Sequence, residues 1–225
     1  MKEKSDFLVA FFASGRGSNF RAVQDRIDEG AIRAKTSFLL SNNSASYAIE
    51  VAASKNISTY HVSLKTEGNS QGVTDKMLQL LEEHQPDLLV LAGYMKRVPS
   101  EVIAKMKGRV LNIHPALLPA FGGQGWYGER VHQGVIDKGC QYTGMTVHLV
   151  NGEYDQGDIL LQEVVPVSAE DTAESLGKKV IQKEHGSLWK VVQGFAEGTL
   201  FFNSKGLQGL PLFRKQTEIE KVNAL

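Results

Sequence analysis

Asn112 and His114 stand two apart at the end of an apolar run, in 111-LNIHPALLPAFGGQGWYGERVHQG-134. If that run is a strand, alternation puts both side chains on one side of its end. An amide there can donate to a developing oxyanion, and an imidazole can donate as imidazolium or shuttle a proton. Pro115 stiffens the backbone behind them. A polar strand end with a capping asparagine would carry the same letters. Asp155 lies in the turn-rich 151-NGEYDQGDI-159. Beside His114 its carboxylate would orient the ring and raise its pKa. Aspartate before a glycine turn is also ordinary, and spacing alone does not join residues 114 and 155.

Two further places invite a ligand. In 14-SGRGSN-19, Gly15 and Gly17 permit a tight turn and close backbone approach. Amides at a helix start suit a phosphate. Phe20 stands where a dinucleotide fingerprint needs its third glycine, and the triphosphate-loop lysine is missing. A mononucleotide or sugar phosphate fits; so does a plain glycine turn. Farther on, Leu176, Val180, Glu184 and Leu188 repeat every four residues, and Val191, Val192 and Phe195 extend the stripe. Glu184 thus sets a carboxylate on or beside an apolar helix face, where it needs a partner. A ligand amine or hydroxyl would serve, and so would a protein cation. His61, His84, His132 and His148 occupy plain strand or helix-end contexts without ligand spacing. With no HExxH or CxxC pattern, no catalytic metal is expected.

The elements that must position these residues read as a strand–helix alternation. Strands are expected at 7–14, 36–42, 58–63, 87–93 and 109–114, short and nearly all apolar. Helices are expected at 18–30 with Ser18 as N-cap, at 46–56, at 72–84, and from Pro99 to about Lys107. This predicts an α/β fold with a doubly wound, mostly parallel sheet. After a helix near 128–138, the runs 142–150 and 159–167 suit antiparallel pairing in the C-terminal part. A long helix spans 171–197, capped by Asp171 or Thr172. The tail from 203 shows no pattern and is expected to be partly extended along the surface and mobile at its end.

Composition narrows the function. The 225 residues, 42% hydrophobic, can bury one sizeable core. Lys+Arg and Asp+Glu are 25 each, a balance that argues against broad nucleic-acid binding. Cys140 is the only cysteine, which fits a reducing, cytoplasmic setting. No signal-peptide core or membrane-length apolar run is present.

Five segments in order carry a resemblance: ASGRGSN at 13–19, LAGYMKRV at 91–98, NIHPALLP at 112–119, TGMTVHLVNGEYDQGDILLQ at 143–162 and QKEH at 182–185. Together they resemble the glycinamide ribonucleotide formyltransferases of purine synthesis, from about Phe7 to about Gly198. NIHP-x-LLP is specific to the wider formyltetrahydrofolate-using group. The resemblance implies a Rossmann-like formyltransferase domain over 1–198, with a phosphate-binding half to about 110, a folate and catalytic half from about 111, and a tail at 199–225. It implies that Asn112, His114 and Asp155 are the catalytic trio. Gly17, Ser18, Asn19 and Glu184 would hold the ribonucleotide. Met95, Lys96, Arg97 and Val98, with Asn112, Asn151, Gly152, Glu153, Tyr154 and Asp155, would line the folate pocket. The co-substrate would be 10-formyltetrahydrofolate, with no metal. The partners would be small molecules, glycinamide ribonucleotide and formylfolate, with neither nucleic acid nor membrane. A monomer or weak homodimer is expected.

Direct transfer is the implied mechanism, with Asn112 and a protonated His114 on the oxyanion and Asp155 holding His114 charged. Other folate enzymes are weighed against it. Methionyl-tRNA formyltransferase usually adds a basic tRNA-binding domain, of which the balanced charge gives no sign. Formyltetrahydrofolate deformylase, a hydrolase, usually adds an N-terminal regulatory domain, for which a first strand at Phe7 leaves no room. A non-catalytic folate- or nucleotide-binding module would not need the intact trio. There are departures from the family pattern. Arg16 sits inside the phosphate loop, and the glycine-rich 121-FGGQGWYGER-130 looks longer than its counterparts. It reads either as a mobile lid, with Trp126 or Tyr127 closing over substrate, or as an ordered structural loop, the lid slightly favoured. No basic residue around Asn69–Gln71 matches the one that some relatives offer the folate glutamate tail.

Overall fold

The structure, a computed structural model, describes residues 6–203 and 206–209. The chain divides into two compact units. One holds the described residues up to Ile113 together with Leu149–Glu153; the other holds His114–His148 and the described residues from Tyr154 onward.

In the first unit five short strands pair in parallel: β1 (Phe7–Phe12), β2 (Ala34–Ser41), β3 (Ser58–His61), β4 (Leu88–Leu91) and β5 (Val110–His114). Their spatial order is β3-β2-β1-β4-β5. The chain therefore reverses direction of travel across the sheet between β1 and β4, the place where open α/β sheets gather ligands at the strands' carboxyl ends. The helices between them are α1 (Ser18–Asp28), α2 (Tyr47–Ser54), α3 (Leu64–Glu67), α4 (Ser70–His84) and α5 (Ser100–Lys105). Period-two alternation explains the double winding. Ala10 and Phe12 of β1 join Phe38, Met77, Leu80, Val102 and Met106 in one buried cluster, so α4 and α5 cover that face. Phe11 points the other way and meets Phe20 of α1 edge to face at 5.1 Å.

The second unit is built on an antiparallel pair, β6 (Tyr142–Leu149) and β7 (Ile159–Pro166), with Tyr142 opposite Pro166. Two helices join them, α6 (Glu129–Asp137) and α7 (Ala173–Ala196). Thr146 of β6 ties down the turn after His114. Its hydroxyl donates to the Ala116 carbonyl at 2.7 Å and accepts from Leu118 N at 3.1 Å. Thr172 caps α7 in a reciprocal box with Ser175. Leu176, Val180, Leu188, Val191, Val192 and Phe195 are all buried, as the four-residue stripe predicts.

Some local expectations need correction. Ser18 is not the cap of α1 but its first residue; Gly17, at φ 67°, takes the cap position. Pro99 precedes α5 as its N-cap instead of opening it from within. A small hairpin, β8 (Phe201–Asn203) with β9 (Gly206–Gln208), forms where no pattern was read. Residues 204–205 and 210–225 of the expected mobile tail lie outside the described residues. No described helix is long and apolar enough to cross a membrane.

Candidate functional site

The first unit supplies a loop shaped for an anion. Ser14 lies two residues past the end of β1, and its hydroxyl accepts from Met95 N at 2.8 Å, which joins the 14–19 loop to the segment after β4. The Gly15 carbonyl accepts from Ala48 N at 3.2 Å and from the Ser46 hydroxyl at 2.8 Å. These bonds draw the loop onto the start of α2. A Cβ on Gly17 would lie 2.6 Å from Ala48 Cβ, at a φ side chains rarely adopt. Glycine is therefore required for both space and conformation. Arg16 is exposed, whereas Asn19 is buried. The loop delivers the amides of the first turn of α1, a setting that favours phosphate.

Beside the segment after β4 the same unit opens a cavity of about 1050 Å³. Tyr94, Lys96, Arg97, Val98 and Gly152 line it, and Lys65 adds a further cation. Arg97 donates to the Gly152 carbonyl at 2.7 Å, so two segments expected to line one pocket do meet. Met95 is exposed and Val98 is buried. Asn151 turns its side-chain oxygen onto Glu153 N at 3.1 Å. Lys65 belongs to α3, a four-residue helix whose capping box between Ser63 and Thr66 was not read from the sequence. It offers positive charge close to where the Asn69–Gln71 stretch lacks it.

The second unit brings His114 and Asp155 together. His114 leaves β5 two residues after Asn112, which pairs with Leu91 of β4. Its ring is 4% exposed. Nε2 lies 2.7 Å from the Phe121 carbonyl, and Nδ1 lies 3.5 Å from Asp155 Oδ2. The same carboxylate accepts from Gly123 N at 2.9 Å and meets His148 Nε2 at 3.5 Å through Oδ1. Two histidines and one backbone amide thus converge on Asp155, whose φ of 57° sets it in a turn. Tyr154 beside it is exposed. Glu184 on α7 is 7% exposed, so the carboxylate predicted to intrude on an apolar face does so. Among the described residues no group of three His, Cys, Asp or Glu side chains has the makings of a metal site.

Charge in this cluster departs from expectation. Burial pushes His114 below its ordinary pKa, while Asp155 and the Phe121 carbonyl pull it upward and His148 pushes it down. The net direction is down. Asp155 raises the value as expected, but desolvation outweighs it. For Asp155 itself burial works upward; His148, His114 and the Gly123 amide together hold the carboxyl below its usual range. The ring nonetheless faces two acceptors, a carbonyl and a carboxylate, and only the imidazolium can donate to both. It is therefore a base whose charged form is already solvated once a proton arrives.

Sequence reasoning missed three participants: His148, the Phe121 carbonyl and the Gly123 amide. His148 sits in a continuous buried run, TVHLV, where alternation carries no signal. Backbone partners leave no trace in residue type.

The chain matches the formyl transferase family over residues 8–192. It is 38% identical to the chloroplastic phosphoribosylglycinamide formyltransferase of Arabidopsis thaliana, over 88% of this chain and 68% of that protein. It is 34% identical to phosphoribosylglycinamide formyltransferase of Haemophilus influenzae, over 85% of this chain and 88% of the relative. Among solved structures it resembles glycinamide ribonucleotide transformylase 1 from Symbiobacterium toebii, with a TM-score of 0.84 at 29% identity. That likeness covers 93% of this chain and 97% of the other.

Proposed function

The chain belongs to the formyl transferase family, and we propose that it moves the formyl group of 10-formyltetrahydrofolate onto the amine of 5'-phosphoribosylglycinamide. The products are formylglycinamide ribonucleotide and tetrahydrofolate, a step of purine biosynthesis. The observation that carries the reading is the buried His114, held between the Phe121 carbonyl and Asp155 at the end of the strand that bears Asn112. The phosphate-type loop and the large cavity in the first unit support an anionic acceptor and a bulky donor.

Roles follow from the chemistry of each group. Gly17, Ser18 and Asn19 take the acceptor phosphate through backbone amides and short polar side chains. Glu184 accepts from a hydroxyl or amine of the same molecule. Met95, Lys96, Arg97 and Val98, with Asn151 to Asp155, hold the folate. Asn112 donates its amide hydrogen to the oxyanion that forms as the amine adds to the formyl carbon. His114 takes the proton that the amine loses. The resulting imidazolium steadies the oxyanion, and Asp155 balances its charge. The proton then passes to the folate nitrogen as its bond to carbon breaks. No covalent bond to the protein is formed. A cytoplasmic setting belongs to this proposal and rests on the single cysteine.

The test is spectroscopic turnover of 10-formyltetrahydrofolate with and without the ribonucleotide. Turnover that requires the ribonucleotide is expected. Equal turnover without it would make the protein a hydrolase, and binding of both ligands without turnover would make it a non-catalytic module.

A further inference from the structure

Trp126 takes no part in the chemistry above, yet it is seated with care on Gly134. A Cβ on Gly134 would lie 2.4 Å from Trp126 Cζ3 and 2.7 Å from Cη2. It would also lie 3.4 Å from Phe121 Cδ1. Gly134 falls inside α6, where alanine would favour the helix. The missing side chain is the seat of an indole. The Trp126 and Phe121 rings stand edge to face, 5.3 Å apart at 81°. Trp126 N also donates to the Gly123 carbonyl at 3.2 Å. The indole therefore packs on α6 and on the Phe121 ring, while the Trp126 backbone holds Gly123. Those two residues present their backbone to His114 Nε2 and to Asp155 Oδ2.

The loop needs such an anchor. Phe121 and Gly123 have φ of 53° and 91°. A phenylalanine at positive φ persists only where its surroundings hold it. Gly122 passes so close that a Cβ there would lie 3.3 Å from Asp155 Cβ. Small shifts of this loop thus move the groups that address the His114–Asp155 pair. A lid would carry its indole free for substrate, whereas Trp126 is 36% exposed with its ring edge against α6.

We propose that Trp126, seated on Gly134, is a positioning residue for formyl transfer. It fixes the 121–126 loop so that the Phe121 carbonyl and the Gly123 amide hold the His114 ring and the Asp155 carboxylate in working orientation. The proposal rests on the formyl-transfer reading. The titratable groups that bear on His114 are Asp155, His148 from β6 and His132 from α6, with Glu129 acting on His132.

The experiment compares Trp126→Ala, Trp126→Phe and Gly134→Ala in the full chain. Steady-state kcat and both KM values are measured across pH, with Tm alongside. Trp126→Ala is expected to lower kcat ~10- to 100-fold, as misplacement of a reacting group does, with KM little changed. The acid limb of kcat/KM should move to lower pH, because the displaced carbonyl no longer favours the His114 proton. Gly134→Ala should repeat both effects, and Trp126→Phe should recover part of the rate. A raised KM with kcat and limb unchanged would place the indole on the substrate instead. A lowered Tm with unchanged kcat and limb would make it merely structural. If Trp126→Ala does not fold, the Gly134→Ala and Trp126→Phe kinetics decide. The seat itself is read without activity: in a Trp189→Phe background, Gly134→Ala should red-shift Trp126 emission. An unshifted emission overturns the seat. Absent turnover in the unmodified protein would instead defeat the formyl-transfer reading.

Discussion

Asn112 and His114 were legible because two polar residues at an apolar strand end are few and share one side. Glu184 was legible because a carboxylate broke a four-residue apolar stripe, and its burial follows from that register. By residue type Asp155 was a turn acid that could orient His114; only the resemblance set the two together, because the 3.5 Å approach depends on long-range folding that spacing does not encode. His148 was passed over for the same reason. Asn112 makes the simplest prediction at this scale. If its amide donates to the oxyanion, Asn112→Ala removes one donor, and kcat should fall roughly 100- to 1,000-fold. Binding of the ribonucleotide, measured by calorimetry, should stay close to that of the unmodified protein. Near-full activity in the variant would remove Asn112 from the chemistry.

The strands and long helices could be read because short apolar runs and periodic stripes survive translation into structure. Two kinds of element escaped. The first were short: α3 has four residues and depends on a cap between Ser63 and Thr66. The second were junctions, where one residue decides. At the start of α1 the sequence favoured Ser18 as cap, because serine is a common one. The backbone uses Gly17, since α2 approaches so closely that only glycine fits. That packing makes the loop testable. Gly17→Ala would bring its Cβ to 2.6 Å from Ala48 Cβ. The left-handed backbone alone costs about 1–2 kcal/mol. The loop or α2 must then shift, and kcat/KM for the ribonucleotide should fall ~10-fold or more. KM for the formylfolate should hardly change. An equal loss for both substrates would mean that the loop supports the fold and does not select the phosphate.

Over the whole chain, the parallel sheet of the first unit and the antiparallel pair of the second were both anticipated from the change in pattern after residue 114. The return of Leu149–Glu153 to the first unit was foreshadowed only by the resemblance, which set Asn151–Glu153 with Met95–Val98 on one pocket, because a five-residue excursion has no compositional mark of its own. Buried histidines give the molecule a pH response that composition alone conceals. Burial is the leading cause that holds His114 and His132 below the ordinary value of 6.5. Glu129 pulls His132 upward and His114 pushes it down. Its Nδ1 has no hydrogen-bond partner among the described residues. For a histidine with a lowered folded pKa, the unfolded chain binds the proton first as pH falls. Stability is therefore full above about 6.5 and declines as pH drops from there through the lower folded values. Asp155, depressed in the folded state, adds a separate loss only below its unfolded value of 3.8. Denaturant midpoints measured from pH 8 to about pH 2 should thus begin to fall well before carboxylates titrate. His132→Gln removes one titrating group from the first window, so its midpoint should fall less steeply there than that of the unmodified protein. It should leave the drop below 3.8 in place, because Asp155 is untouched. Identical slopes in the first window would show that His132 takes up its proton as readily folded as unfolded, and the acid response would then belong to His114.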